Sequence, residues 1–211
     1  MQKLVESVRN FGPKFKINIF NKSSISPNFI KEHKNILELK RGGGYWLWKP
    51  YIINETMKKL NDGDVLFYLD SKYYFTENFE GLYKPLLDAN DIVVWKNKPN
   101  DNEFLMKNWC KMDVIQKYNM YDKVFIENAN DCWAGAICIK KNSKTLKMME
   151  EWLNMCCNNM DITDAPSAIP NSDEFIEHRH DQSMLSIVLH KNNIPLHFFE
   201  KRYLQNVRNP Y

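Results

Sequence analysis

Residues 64–70 read Asp-Val-Leu-Phe-Tyr-Leu-Asp, five apolar or aromatic side chains in a row closed by a carboxylate. Successive side chains of a strand point to opposite faces, so a run without polar interruption expects burial on both. A sheet with helices on either side meets that requirement, which selects a layered α/β chain over a bundle or a one-sided sheet. Further β-rich runs at residues 15–20, 92–95, 124–126, 134–139 and 196–199 join 65–69 as expected strands. Helices are expected at 27–37, 46–60, 79–87, 103–118, 143–157 and 180–190. In the fifth of these, Leu146, Met149, Leu153 and Cys156 recur at the three-four spacing of a core-facing stripe. The alternation predicts a mixed, mostly parallel central sheet of about six strands flanked by helices. Ligands of such sheets sit beyond the carboxyl ends of the strands.

At 211 residues and 44% hydrophobic content the chain can bury one sizeable core, so residues 1–211 are expected to form a single domain. The end of the sequence, Arg208-Asn209-Pro210-Tyr211, follows the last expected strand directly and suits a domain that is the N-terminal part of a longer chain. Lys and Arg number 29 against 26 Asp and Glu, a net +3 that supplies no phosphate-neutralising stripe, so no nucleic-acid partner is expected. No apolar run reaches the length of a membrane span or a signal peptide, and the expected location is the cytoplasm. The five cysteines form no CxxC pair and read as reduced, mostly buried thiols.

Three segments could carry chemistry. Asp70 stands at a strand end, where a carboxylate can hold a divalent cation that bridges nucleotide phosphates, or cap the next turn. Ser71-Lys72-Tyr73 after it lacks the second Asp and the Thr of hydrolases that form an aspartyl-phosphate. Gly42-Gly43-Gly44 lies between Arg41 and Tyr45-Trp46-Leu47-Trp48-Lys49-Pro50. Such a loop can present backbone N–H groups to an anion, with Arg41 and Lys49 adding charge, or simply turn tightly before an aromatic-anchored helix. The P-loop spacing is absent.

Glu177-His178-Arg179-His180-Asp181-Gln182-Ser183 opens a helix. Asp181 and Gln182 suit a sugar's hydroxyls, while His178 and His180 suggest a metal but lack further ligands at fixed spacing. The plain alternative is Asp181 as a helix cap beside solvated histidines. The polar loop 161–173, DITDAPSAIPNSD, reads either as a mobile flap or as a solvated connection.

Taken in order, the strand-terminal Asp70, the strand opening Trp133-Ala134-Gly135 and the helix opening His180-Asp181-Gln182 resemble nucleotide-sugar-dependent glycosyltransferases of the GT-A fold. RGGGYWLWKPYII followed by GDVLFYLD is similar to a group of small bacterial and viral glycosyltransferases, among them chlorella-virus enzymes that build a capsid glycan. The resemblance runs from about Arg41 to His190. It implies a GT-A-type, Rossmann-like sheet and transfer of a hexose or deoxyhexose from a UDP-sugar to a glycan or glycoprotein acceptor, metal-assisted and retaining. For a viral chain the location becomes the host cytoplasm.

Residue by residue, the resemblance gives Asp70 the metal, Mn2+ or Mg2+, together with the diphosphate. Ala134 and Gly135 receive backbone contacts with the sugar, His180 helps orient it, and Asp181 with Gln182 forms the reacting side. Arg41 and Lys49 become donor contacts, and Asn21, after the first expected strand, falls where the nucleoside is received. The sequence departs from the pattern in Lys72, which replaces the second Asp of Asp-X-Asp, and in Trp133, which replaces Asn. Either another ligand such as His197 completes the metal, or Lys72 neutralises phosphate itself. Two other classes stay open: a non-catalytic carbohydrate-binding module, suggested by Tyr73-Tyr74-Phe75, and a metal-dependent phosphohydrolase or nuclease using Asp70 with the two histidines.

Overall fold

The computed structural model describes residues 1–12, 14–96, 104–198 and 203–206. Its strands are β1 (Val65–Leu69), β2 (Tyr73–Phe75), β3 (Ile92–Lys96), β4 (Trp133–Lys140), β5 (Leu196–Phe198) and β6 (Leu204–Asn206). Among the described residues the main sheet has four strands in the order β1-β4-β3-β5, and β2 pairs with β6 apart from it. β4 runs antiparallel to both neighbours, and only β3 and β5 are parallel. The fold is thus mixed α/β as expected, but its sheet is smaller than six strands and mostly antiparallel. A strand covered on both faces carries the same apolar run whichever way it points, so the sequence pattern cannot read direction.

The double covering is realised. Leu66, Tyr68, Val94, Ile137 and Ile139 pack on one face against the helices Trp48–Met57, Ser143–Cys156 and Asp181–Lys191. Phe67, Leu69, Val93, Trp95 and Cys138 pack on the other against Gln2–Phe11, Glu80–Ala89, β2 and β6. Met184, Leu185, Ile187, Val188 and Leu189 are all fully buried, and Asp181, Ser183 and Ser186 are buried with them, so Asp181–Lys191 is enclosed nearly all round and sits in the core. Each of the apolar side chains contributes about 1.5–3 kcal/mol of burial. The helix start is thereby held rigidly at the end of the sheet.

Two expected strands are absent. Residues 15–20 have no regular structure and line one cavity together with β1. Residues 124–126 lie in the helix Lys123–Asn128, because the Asp122 side chain accepts from Phe125 N at 2.9 Å and caps a helical turn. Val124 there is 72% exposed, which a core strand would not allow. The 27–37 helix breaks at His33 into Pro27–Glu32 and Lys34–Leu37. The 103–118 helix becomes Met106–Trp109 and Met112–Lys117, with Glu103 outside the described residues. Phe199 and residues 208–211 also lie outside them. All five cysteines are free thiols, four of them buried. No helix among the described residues is long and apolar enough to cross a membrane.

Candidate functional site

The end of β1, the start of β4 and the start of Asp181–Lys191 converge on the ammonium of Lys49. Its Nζ lies 2.7 Å from Asp181 Oδ2 and 3.9 Å from Asp70 Oδ1, and donates to the Ala134 carbonyl at 3.3 Å. Lys49 and Asp181 are buried, and Asp70 is about one-fifth exposed. Burial pushes the Asp181 carboxyl up to about 6 against the pull of Lys49. Burial alone would lower Lys49, but Asp181 and Asp70 outweigh it and leave the ammonium above its ordinary value. Tyr68 donates its hydroxyl to Asp70 Oδ1 at 2.7 Å, and burial, then Asp70, holds its proton on well above the phenol range. Lys72, about half exposed, places Nζ 3.8 Å from Asp70 Oδ2 and supplies the solvent-facing charge of the cluster.

A register shift between β3 and β4 shapes the middle of this floor: Val94 pairs with Ile137 and Trp95 with Trp133. Gly135 sits in the irregularity, where a Cβ would meet the Trp133 ring at 2.5 Å. Its carbonyl accepts from Asp70 N at 2.9 Å. The Ala134 N–H donates to Gln182 Oε1 at 3.3 Å, and Gln182 Nε2 donates to Asp131 Oδ2 at 2.5 Å. Asp131 also accepts from the Ser186 hydroxyl at 2.7 Å, and burial raises its carboxyl to about 7. Gln182 is therefore a strut between β4 and the buried Asp131, with both ends of its amide engaged.

The glycine loop does not cradle an anion. Gly42, Gly43, Gly44, Tyr45 and Trp46 have φ of 58°, 61°, 94°, 49° and 60°, a left-handed turn. The amides of Gly43, Gly44 and Tyr45 donate within residues 39–45 and are spent on the turn itself. A Cβ at Gly44 would lie 2.7 Å from Leu37 Cα, so only glycine fits. The turn presents Tyr45 edge-on and Trp46 flat against the His180 ring, at centroid distances of 4.7 and 5.6 Å. His180 has φ 56° and ψ −121°, which aims the next residue, Asp181, at Lys49.

Arg41 is likewise committed inside the protein. It grips Asp164 with Nη1 at 3.0 and 3.1 Å and Glu177 with Nη2 at 2.7 Å, and Tyr45 donates to Asp164 at 2.9 Å. These bonds anchor the loop expected to be a flap. Lys111 adds donations to the carbonyls of Met160 and Ala165, and Asn171 accepts from Met112 N at 2.9 Å. His178 Nε2 and His180 Nδ1 donate to the Asp161 and Ile162 carbonyls, each at 2.8 Å. Burial lowers both imidazoles, His180 to about 4, so the pair ties the loop down as neutral rings.

A resident divalent cation does not fit these residues. Both oxygens of Asp70 face ammonium groups within 4 Å, from Lys49 and Lys72. Among the described residues no three His, Cys, Asp or Glu side chains could hold a metal. His197, on β5, is separated from β1 by β4 and β3 and does not approach Asp70. Asn21 lies apart from the lysine cluster, where its Oδ1 caps a turn by accepting from Ser23 N at 2.9 Å. It lines a cavity of about 650 Å³ that Trp48, Tyr68 and Ser71 also line, next to the cluster.

Asp131, Tyr68 and Asp164 went unnoticed in the sequence. Tyr68 was within reach, since it stands two residues before Asp70 and so on the same face of the strand. Asp131 carried only the weak signal of an acid just ahead of an apolar strand, and Asp164 carried none.

The chain matches no protein-family model, no curated protein and no solved structure.

Proposed function

We propose that the protein is a glycosyltransferase that moves a hexose or deoxyhexose from a UDP-sugar to a glycan or glycoprotein acceptor. The observation that carries the reading is the convergence of Asp70, Ala134-Gly135 and Asp181-Gln182 on Lys49, beside a cavity of about 650 Å³. Three segments that resemble a donor site in sequence order thus meet in space. A phosphate-bearing ligand finds its counter-charge at the exposed Lys72, while its nucleoside enters the cavity between Asn21 and Ser71.

In the transfer, the bond from the anomeric carbon to the diphosphate breaks. The acceptor oxygen takes its place, and the acceptor's proton leaves with the departing diphosphate. Lys72 meets the developing negative charge. Asp181, positioned by Lys49 and by the strained backbone of His180, supplies the carboxylate facing the sugar. Asp131 keeps Gln182 and the Ala134 backbone in register.

Calorimetric titration with UDP, GDP and CMP, each with EDTA and with Mn2+, tests the reading. Selective UDP binding that survives EDTA, followed by turnover of a UDP-sugar that Asp181→Asn abolishes, is expected. Failure of every nucleotide to bind overturns it and favours a carbohydrate-binding module, whereas phosphate release without an acceptor favours a hydrolase.

A further inference from the structure

The aromatic run Tyr73-Tyr74-Phe75 does not form one open platform. Alternation along β2 sends Tyr73 and Phe75 to one face and Tyr74 to the other. Phe75 stacks on Phe79 in the core with ring centres 3.6 Å apart. Tyr74 donates its hydroxyl to Gln205 at 2.6 Å, with the Lys3 ammonium 5.3 Å from its ring centre. Tyr73 instead carries Lys72 Nζ over its ring, 5.1 Å from the centre, and meets the Trp133 indole edge-to-face at 5.1 Å and 89°.

These contacts close a circuit. Tyr73 N–H donates to the Asp70 carbonyl at 3.0 Å, so residues 70–73 form a turn with Lys72 in its third position. From there the ammonium reaches back to within 3.8 Å of Asp70 Oδ2. The Trp133 ring lies against Gly135, where only the missing Cβ leaves it room, and the Gly135 carbonyl accepts from Asp70 N at 2.9 Å. The circuit thus runs Asp70, Lys72, Tyr73, Trp133, Gly135 and back to Asp70. Pairing of β2 with β6, Tyr73 opposite Asn206, holds the backbone under the ring from the other side. Lys72 and Trp133, the positions at which the chain departs from the motif order it resembles, both stand on this circuit.

A lysine on its flexible stem becomes ordered when it binds an anion, and holding it beforehand takes that cost out of binding. Lys72 is half exposed, so its ammonium stays open to a ligand while Asp70 and the Tyr73 ring hold it. We propose that Tyr73 and Trp133 are positioning residues for Lys72: Trp133 sets the plane of the Tyr73 ring, and that ring, with Asp70, aims the ammonium at a ligand's diphosphate. The aim at a diphosphate rests on the proposed transfer from a nucleotide sugar; the holding of Lys72 does not.

NMR of the chain with isotope-labelled lysines, together with calorimetric titration of UDP, tests both parts. The Lys72 Hε resonances, identified by their loss in Lys72→Gln, should lie upfield of lysines that face no ring. Tyr73→Leu should return them to the common position, Tyr73→Phe should keep the shift, and Trp133→Leu should reduce it. Tyr73→Leu should weaken UDP binding about two- to five-fold and Tyr73→Phe should not, whereas in the Lys72→Gln background Tyr73→Leu should add nothing. Lys72 resonances at the common position in the parent chain overturn the holding, and a shift unchanged in Trp133→Leu removes Trp133 from it. An equal loss of UDP affinity with and without Lys72 overturns the aim at the diphosphate, because the ring then touches the ligand itself. A chain that binds no UDP overturns the functional reading, and the Lys72 resonances still decide the holding.

Discussion

The Lys49 ammonium lies 2.7 Å from the Asp181 carboxylate and 3.9 Å from that of Asp70, so one buried cation compensates acids from two elements 111 residues apart in the chain. Burial works against the charge on both Lys49 and Asp181, and their mutual attraction offsets it.

Removing the cation strands a buried charge. Lys49→Met should destabilise the fold by about 3–5 kcal/mol, while the double variant Lys49→Met, Asp181→Leu recovers much of that loss. Chemical denaturation at pH 8 measures both, and equal stability of the single and double variants would defeat the argument.

Burial raises Asp181 to about 6 and Asp131 to about 7, above the ordinary carboxylate value of 3.8. A raised acid binds its proton more tightly folded than unfolded, so its stabilising contribution is complete below the unfolded value and is lost as pH rises through the folded one. The share of stability that comes from Asp131 should fall between pH 4 and about 7, while the lowered His178 and His180 work in the opposite direction, so the difference between the parent chain and Asp131→Asn should shrink as pH rises through about 7. Urea midpoints across pH 4–8 report it.

Arg41 holds residues 164 and 177 with partly exposed groups, so Arg41→Ala should cost only about 0–1 kcal/mol. Its local effect is larger. Backbone amides at 163–168 should exchange markedly faster in the variant, with core amides unchanged, by hydrogen-exchange mass spectrometry.

Gly43 and Gly44 both have positive φ, but their surroundings differ. At Gly43 the nearest atom to an added Cβ is the Trp48 indole nitrogen at 3.9 Å, and at Gly44 it is Leu37 Cα at 2.7 Å. Gly43→Ala should cost about 1–2 kcal/mol, and Gly44→Ala clearly more, because the backbone must also move. Thermal unfolding of the two variants should rank them in that order.

Lys72 is half exposed, with its ammonium 3.8 Å from Asp70 Oδ2 and 5.1 Å from the centre of the Tyr73 ring, so Lys72→Gln should change thermal stability by no more than about 1 kcal/mol. UDP affinity should drop about ten-fold or more if its ammonium meets the diphosphate. Unaltered UDP binding would remove Lys72 from the site.

Much of this was legible in the chain itself. β1 runs over the expected residues 65–69, and β3, β4 and the helices Ser143–Cys156 and Asp181–Lys191 fall within one or two residues of their apolar patterns. These elements are buried, and burial writes itself into local periodicity. Asp70 and Asp181 stand in the sequence as acids at the ends of apolar runs and Lys49 as a cation after a glycine loop, but no local pattern says that the three meet. Residues 124–126 misled because three apolar residues suit a strand or a helical turn equally, and the cap from Asp122 decided between them.

Strand direction, the left-handed turn and the pairing of charges belong to tertiary structure. Gly42-Gly43-Gly44 suggested an anion loop, yet the turn consumes its own amides and serves to pack Tyr45 and Trp46 on His180. Arg41 resembled a phosphate contact until Asp164 and Glu177, more than 120 residues away, were found on its guanidinium. The sequence alone determined which segments are buried and where polar groups interrupt them, because that depends on local pattern. Which charge meets which was decided only by the packing of distant elements, since an ion pair has no trace in the residues on either side of it.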